Sequence, residues 1–141
     1  MSDAGGRFHF YDFTVLVRDL DPQAHMANHV YVAYLSEARA RFLSGFEGEA
    51  GTLRPSVVAE VGCTYLSPLV LHDPFRVGVR VARVGRTSVG FEYEIRTAER
   101  LAARARSVEV LVDADTRRPR EVPDDLRRRL VASSARGASA R

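Results

Sequence analysis

Between Arg18 and Glu37 the chain reads Arg-Asp-Leu-Asp-Pro-Gln-Ala-His-Met-Ala-Asn-His-Val-Tyr, running on to Glu37. This gathers Asp19, Asp21, His25, Asn28 and His29 just ahead of the strongest helical pattern in the sequence. A helix start leaves backbone N–H groups without acceptors and carries the positive end of the peptide dipoles. Such an end holds an anion or polarises a carbonyl oxygen. A carboxylate beside it can attack an activated carbonyl, or take the proton from an attacking water. Asp21 is the candidate carboxylate and the Asn28 amide the candidate polarising group. By spacing alone Asp21 serves equally well as a turn cap, and Asn28 as the helix cap. Both readings stand at this point.

Other chemistries find less support. His25 and His29 are four apart, a metal-ligand spacing on a helix, but no His-Glu-x-x-His pattern surrounds them, and His9 and His72 form no ligand group. No metal and no cofactor are expected. The one cysteine, Cys63, lies in an apolar run, excludes an intrachain disulfide, and reads as a small buried hydrophobe. No serine sits in a Gly-x-Ser-x-Gly elbow, which counts against a serine-hydrolase triad.

Several elements must hold the Asp21 segment in place. Phe8 to Arg18, rich in aromatic and β-branched residues, predicts a strand, which the Asp residues and Pro22 then break. Tyr31, Tyr34, Leu35, Ala38, Phe42 and Leu43 recur at intervals of three and four, the spacing of one helix face, and Gly45 is a plausible stop. Periodicity does not say whether Tyr34 and Phe42 face a pocket or the core. Glu37 and Arg41 form a surface pair one turn apart. After a loop to Pro55, strands are expected at Val57–Tyr65, Phe75–Val84, Thr87–Thr97 and Leu101–Val112, the last three joined by two-residue turns at Gly85-Arg86 and Glu99-Arg100. A loop to Pro123 and a short helix at Asp124–Ala132 follow. The order strand, helix, four strands predicts an α+β domain in which a largely antiparallel sheet packs around one long helix. The domain spans 8–132, between a flexible leader at 1–7 and a flexible tail at 133–141.

Composition narrows the class. A chain of 141 residues with 45 % hydrophobic content makes one globular domain with a core. No run is long and apolar enough to span a membrane, and no apolar signal core follows the first residues, so a cytoplasmic location is expected. The net charge is +3, and all 21 basic residues are arginine, scattered rather than clustered as on a nucleic-acid-binding helix. Arginine pairs well with phosphate oxygens, which suits a phosphate-bearing small molecule.

The segment Asp21-Pro22-Gln23-Ala24-His25-Met26-Ala27-Asn28-His29-Val30-Tyr31 resembles a motif of the hotdog-fold thioesterases, in particular the 4-hydroxybenzoyl-CoA thioesterase-like acyl-CoA hydrolases. That motif has Asp, two variable residues, Gly, His, an aliphatic residue, two Asn, two further residues and Tyr. Tyr65-Leu66-Ser67-Pro68, Val84-Gly85-Arg86-Thr87-Ser88, and Val112-Asp113 with Val122-Pro123 follow in the family's order. The resemblance covers about Tyr11 to Leu130. It implies the hotdog fold, a curved antiparallel sheet wrapped around a long central helix. It also implies a homodimer or homotetramer with active sites at the interface. The implied activity is hydrolysis of acyl-CoA to a carboxylic acid and free CoA, with no nucleic acid or membrane partner. It makes Asp21 the nucleophile or general base, Asn28 the polarising amide, and His25 an organiser of the loop or a substrate contact. Arg86, Thr87, Ser88 and, more weakly, Arg83 become the CoA-binding candidates. Two positions depart from the motif: Ala24 stands for its glycine and Ala27 for its first asparagine. A carrier-protein thioesterase and a non-catalytic acyl-CoA-binding protein are the alternative readings.

Overall fold

The computed structural model describes residues 6–46 and 53–134; most of the expected leader and tail lies outside the described residues. The elements run β1 (His9–Thr14), a 3-10 turn (Val17–Asp19), α1 (Asn28–Ser44), β2 (Ser56–Tyr65), β3 (Pro74–Val84), β4 (Ser88–Arg96), β5 (Leu101–Leu111) and α2 (Asp124–Ser133). The five strands form one antiparallel sheet in the order β1-β3-β4-β5-β2.

Strand alternation sets which face of the sheet is buried. Phe75, Val77, Val79 and Val81 of β3 share the buried face with Val89, Phe91, Tyr93 and Ile95 of β4 and Ala103 and Leu111 of β5. Against that face lies α1, burying Tyr31, Leu35, Ala38 and Phe42, which three- and four-residue spacing puts on one side of the helix. This is the hotdog arrangement. Leu126 and Leu130 of α2 complete the core. The Arg129 guanidinium donates to the carbonyls of Gly45 and Phe46 (3.1 and 3.0 Å), satisfying acceptors left over at the end of α1.

Three local expectations are corrected. The first strand ends at Thr14 rather than Arg18. Beyond it the Asp19 carboxylate accepts the Leu16 N–H at 2.9 Å, and this short-range bond winds apolar residues that read as strand into a 3-10 turn. Helix α1 begins at Asn28, and the residue before it, Ala27, makes no side-chain cap, so Asn28 is the first helical residue and not the cap. The hairpin connections span 85–87 and 97–100 rather than two residues each. In the second, Thr97 N–H donates to the Arg100 carbonyl at 2.9 Å, and the Thr97 hydroxyl accepts the N–H groups of Glu99 and Arg100 beside that bond.

Candidate active site

The loop ahead of α1 is closed by its own backbone. Asp21 N–H donates to the His25 carbonyl at 2.8 Å, and Ala24 N–H donates to the Asp21 carbonyl at 2.9 Å. The Asp21 side chain braces the same loop, its Oδ1 accepting the N–H groups of Gln23 (2.9 Å) and His25 (3.1 Å). The turn-cap reading of Asp21 holds: one oxygen caps the turn. The other, Oδ2, has no hydrogen-bond partner among the described residues.

Ala24 sits at φ +64°, the left-handed region where glycine is at ease and a Cβ costs about 1–2 kcal/mol. The backbone shape that the motif's glycine would serve is thus present with alanine in its place.

The loop is anchored at both ends. Met26 N–H donates to the Leu69 carbonyl (2.8 Å) and Ala27 N–H to the Asp19 carbonyl (2.9 Å). Asp19 is buried, and its Oδ2 accepts both the Leu16 N–H and the Tyr34 hydroxyl, the latter at 2.6 Å. Burial, and then the hydrogen bond to Asp19, push the Tyr34 phenol up to about 12. Tyr34 packs against the core, edge-on to Phe75 and Phe13, and its hydroxyl locks α1 to the turn before the loop. Phe42 is core, packed on Phe46 and Phe91.

The helix start lies beside this loop. The N–H groups of Asn28 and His29 precede any intrahelical acceptor and have no partner among the described residues. Asp21, His25 and Asn28 line a cleft of about 330 Å³ together with Tyr31 and the segment Tyr65 to Pro68. The side chains of His25 and Asn28 are exposed and make no hydrogen bond there. The Tyr65 hydroxyl donates to the Asn28 carbonyl at 3.1 Å, and its ring meets Tyr31 edge-on at 4.9 Å. The opposite wall is held from the β4–β5 turn: Arg100 donates through Nε to Ser67 Oγ and through Nη2 to the Pro68 carbonyl, each at 2.6 Å.

Asp21, His25 and Asn28 are thus brought together, whereas Arg83, Arg86, Thr87 and Ser88 are not brought to them within one chain. They occupy the β3–β4 hairpin, from Arg83 at the end of β3 to Ser88 at the start of β4, while the Asp21 loop lies near the Pro74 end of β3. The eleven residues of β3 put about 35 Å between the two. At the hairpin, Arg86 pairs with Glu121 at 3.2 Å in full exposure, and a bulge between Val81 and Arg83 re-aims Arg83 into solvent. Tyr31, Tyr65, Ser67 and Pro68 were visible in motifs but not as walls of this cleft, and Arg100, which braces one wall, read only as a turn residue. Among the described residues no group of three or more His, Cys, Asp or Glu side chains converges as a metal site, and no helix is long and apolar enough to cross a membrane.

Comparison with known proteins follows this geometry. The model of the thioesterase-like superfamily matches residues 15–130. Among solved structures the chain is similar to a thioesterase from Thermus thermophilus complexed with coenzyme A and Zn. That match has 28 % identity, covers 99 % of this chain and 98 % of that one, and has a TM-score of 0.80. A protein of Pseudomonas aeruginosa strain PAO1 is similar at 27 % identity, with coverage of 93 % and 97 % and a TM-score of 0.79. A predicted thioesterase from Bacillus stearothermophilus, at 24 % identity, coverage of 92 % and 98 % and a TM-score of 0.82, speaks to the fold alone. No curated protein matches significantly.

Proposed function

The chain belongs to the thioesterase-like superfamily, and on that premise we propose that it hydrolyses an acyl-CoA thioester to a carboxylic acid and free CoA. The observation that carries the reading is the placement of a carboxylate with one uncommitted oxygen, Asp21 Oδ2, in the same cleft as the open amides at the start of α1. The thioester carbonyl oxygen accepts from the Asn28 N–H, assisted by the helix dipole, as charge builds on it. Asp21 Oδ2 then attacks the carbonyl carbon or takes a proton from the attacking water, and the C–S bond breaks to release the CoA thiol. His25, exposed at the rim, positions the loop through its backbone and contacts substrate through its ring.

The carrier site calls for a second copy of the chain. β2 is an edge strand of ten residues, and Val57, Val58, Val61 and Tyr65 along it, with Leu66 just beyond, are all exposed. An uncovered apolar edge of this length invites pairing. Antiparallel pairing of two β2 edges about a two-fold axis near Val61 sets the partner's Ser56 end beside Tyr65. Leu111 pairs with Ser56 and donates its N–H to the Thr87 carbonyl, so the partner's Arg86–Ser88 hairpin is carried toward the Asp21 cleft. Across adjacent strands the remaining separation is about 15 Å, within reach of an extended CoA arm. This puts Arg86, Thr87, Ser88 and Arg83 near the carrier's phosphates. The Thermus relative bound to coenzyme A supports CoA as the carrier.

The test is thiol release from a panel of short, long and aromatic acyl-CoAs, alongside the same acyl groups on carrier protein. Turnover on CoA thioesters is expected, falling at least about a hundredfold in Asp21→Asn. An unchanged rate in that variant overturns the role of Asp21. CoA binding without turnover on any thioester favours a binding protein.

A further inference from the structure

The β3–β4 hairpin is held to the rest of the domain through its carbonyls. Arg127 of α2 donates through Nη1 to the Val84 carbonyl (3.2 Å) and through Nη2 to the Gly85 carbonyl (2.9 Å). The Arg86 carbonyl accepts the Val122 N–H and the Thr87 carbonyl the Leu111 N–H, each at 2.9 Å. The Ser88 carbonyl accepts the Gly85 N–H at 2.8 Å. In a planar trans peptide the N–H points opposite to the C=O. Tying the Gly85 carbonyl to α2, and the Arg86 carbonyl to the segment that leads into α2, therefore turns the N–H groups of Arg86 and Thr87 away from that helix. Neither N–H has an acceptor among the described residues. Side chains gather on the same turn. A Cβ at Gly85 would lie 2.9 Å from Ser88 Oγ and 3.3 Å from Arg83 Nη2, so a hydroxyl and a guanidinium converge over the glycine. Arg86 is paired only with Glu121, at 3.2 Å and in full exposure. Successive turn amides make an anion-binding concavity, and a guanidinium beside them adds charged donors suited to phosphate.

We propose that Arg127 is a positioning residue for the carrier: by gripping the Val84 and Gly85 carbonyls it aims the Arg86 and Thr87 amides, with Arg83 and Ser88, at a phosphate group of CoA. The inference rests on the CoA reading of this hairpin. Arg127 is not needed to dock α2, because Leu126 and Leu130 are fully buried and Arg129 already ties the helix to the end of α1. Its planar fork matches two successive carbonyls, a contact that a single ammonium cannot reproduce. The half-buried Arg127 lies behind the hairpin, on its carbonyl side, so its effect on a ligand passes through the amides that it orients.

The test compares kcat/KM for an acyl-CoA with kcat/KM for the same acyl group on pantetheine, which carries no phosphate. Arg127→Met keeps an unbranched apolar stem and removes both donors, and the ratio of the two values is expected to fall at least about fivefold. An arginine that served only to dock α2 would, when lost, lower both values together and leave the ratio as it was. Should Arg127→Met not fold, Gly85→Ala replaces it, since the added Cβ displaces Ser88 Oγ and Arg83 with Arg127 intact. The same fall is expected there. A ratio unchanged in either folded variant overturns the inference. Calorimetric titration with CoA reads the hairpin without turnover, and Arg127→Met is expected to bind CoA at least about fivefold more weakly. Equal affinity in the wild type and the folded variant overturns the inference alone. A wild type that binds CoA but hydrolyses no thioester overturns the hydrolysis reading, and the titration then decides on Arg127. A wild type that binds no CoA overturns the inference together with the CoA reading.

Discussion

Asp21 commits one carboxylate oxygen to two loop amides and leaves the other uncommitted. The loop that presents it carries a local strain at Ala24, whose φ of +64° suits glycine better. Ala24→Gly should therefore stabilise the protein. Relief of the left-handed alanine outweighs the extra unfolded-chain entropy of glycine, for a net gain of roughly 0.5–1 kcal/mol, read as a higher urea midpoint with an unchanged m-value. A lower midpoint would show that the Ala24 Cβ makes contacts worth more than the strain. At this scale the sequence was informative where a backbone requirement had left a trace. The motif has glycine where this chain has Ala24, and the structure puts that residue at positive φ. The difference between the two Asp21 oxygens was not legible, because it depends on which amides the turn folds onto each one. The cap at Asn28 was misread because a polar residue at a helix start fits the Ncap and the first helical turn almost equally well.

The elements around the site act as clamps. Tyr34 of α1 donates to the buried Asp19 carboxylate and so ties the helix to the 3-10 turn on the other side of the loop. The phenol, ordinarily near 10, is held up to about 12 in the fold. A group whose pKa folding raises stabilises the native state fully below its unfolded value and loses that contribution as pH climbs through its folded value. Tyr34→Phe should therefore cost roughly 1–2 kcal/mol at neutral pH. The gap between wild type and variant should close between about pH 10 and pH 12, as followed by urea unfolding across that range. A gap independent of pH would mean that Tyr34 acts by packing alone. On the opposite wall, Arg100 spans Ser67 and Pro68 with two bonds in a fixed fork. Arg100→Ala should let that wall drift, raising KM about five- to tenfold with a smaller effect on kcat, and Arg100→Lys should not restore it because a single ammonium cannot make the same forked contact. Equal loss in kcat with KM unchanged would argue against a positioning role. The strands, the central helix and their order were readable from alternation and three-four spacing. These clamps were not, since each joins residues far apart in the chain through side chains that also suit an exposed turn or a core helix.

For the whole molecule, the sheet leaves its inner face uncovered at one side. Residues of β2 that pair with Ser107, Glu109 and Ala103 share the buried face of β5, yet Val58, Val61 and Tyr65 among them are 46 %, 39 % and 42 % exposed. α1 covers β3, β4 and β5 and touches β2 at Tyr65 without covering the strand, so apolar groups that belong to the interior by alternation meet solvent in a single chain. The outer face carries charge pairs instead, Arg80 with Glu92 and Arg106 with Glu60 across strands and Arg96 with Glu94 along β4, and has no comparable need for cover. A second copy paired along β2 would bury the three residues and end the edge. The same step would assemble the proposed carrier site, with Asp21 from one chain and Arg86, Thr87 and Ser88 from the other. Assembly and activity should then fail together. Val61→Lys places a charge near the two-fold axis, where each copy would face the other at close range, while a lysine on an exposed strand position leaves the fold of one chain intact. Sedimentation at micromolar concentration should show the variant as a monomer with native far-UV dichroism. Its turnover of acyl-CoA should fall at least about tenfold and recover as protein concentration drives association. A variant that is monomeric and fully active would place the whole reaction within one chain, and the Arg86 hairpin would lose its part in it.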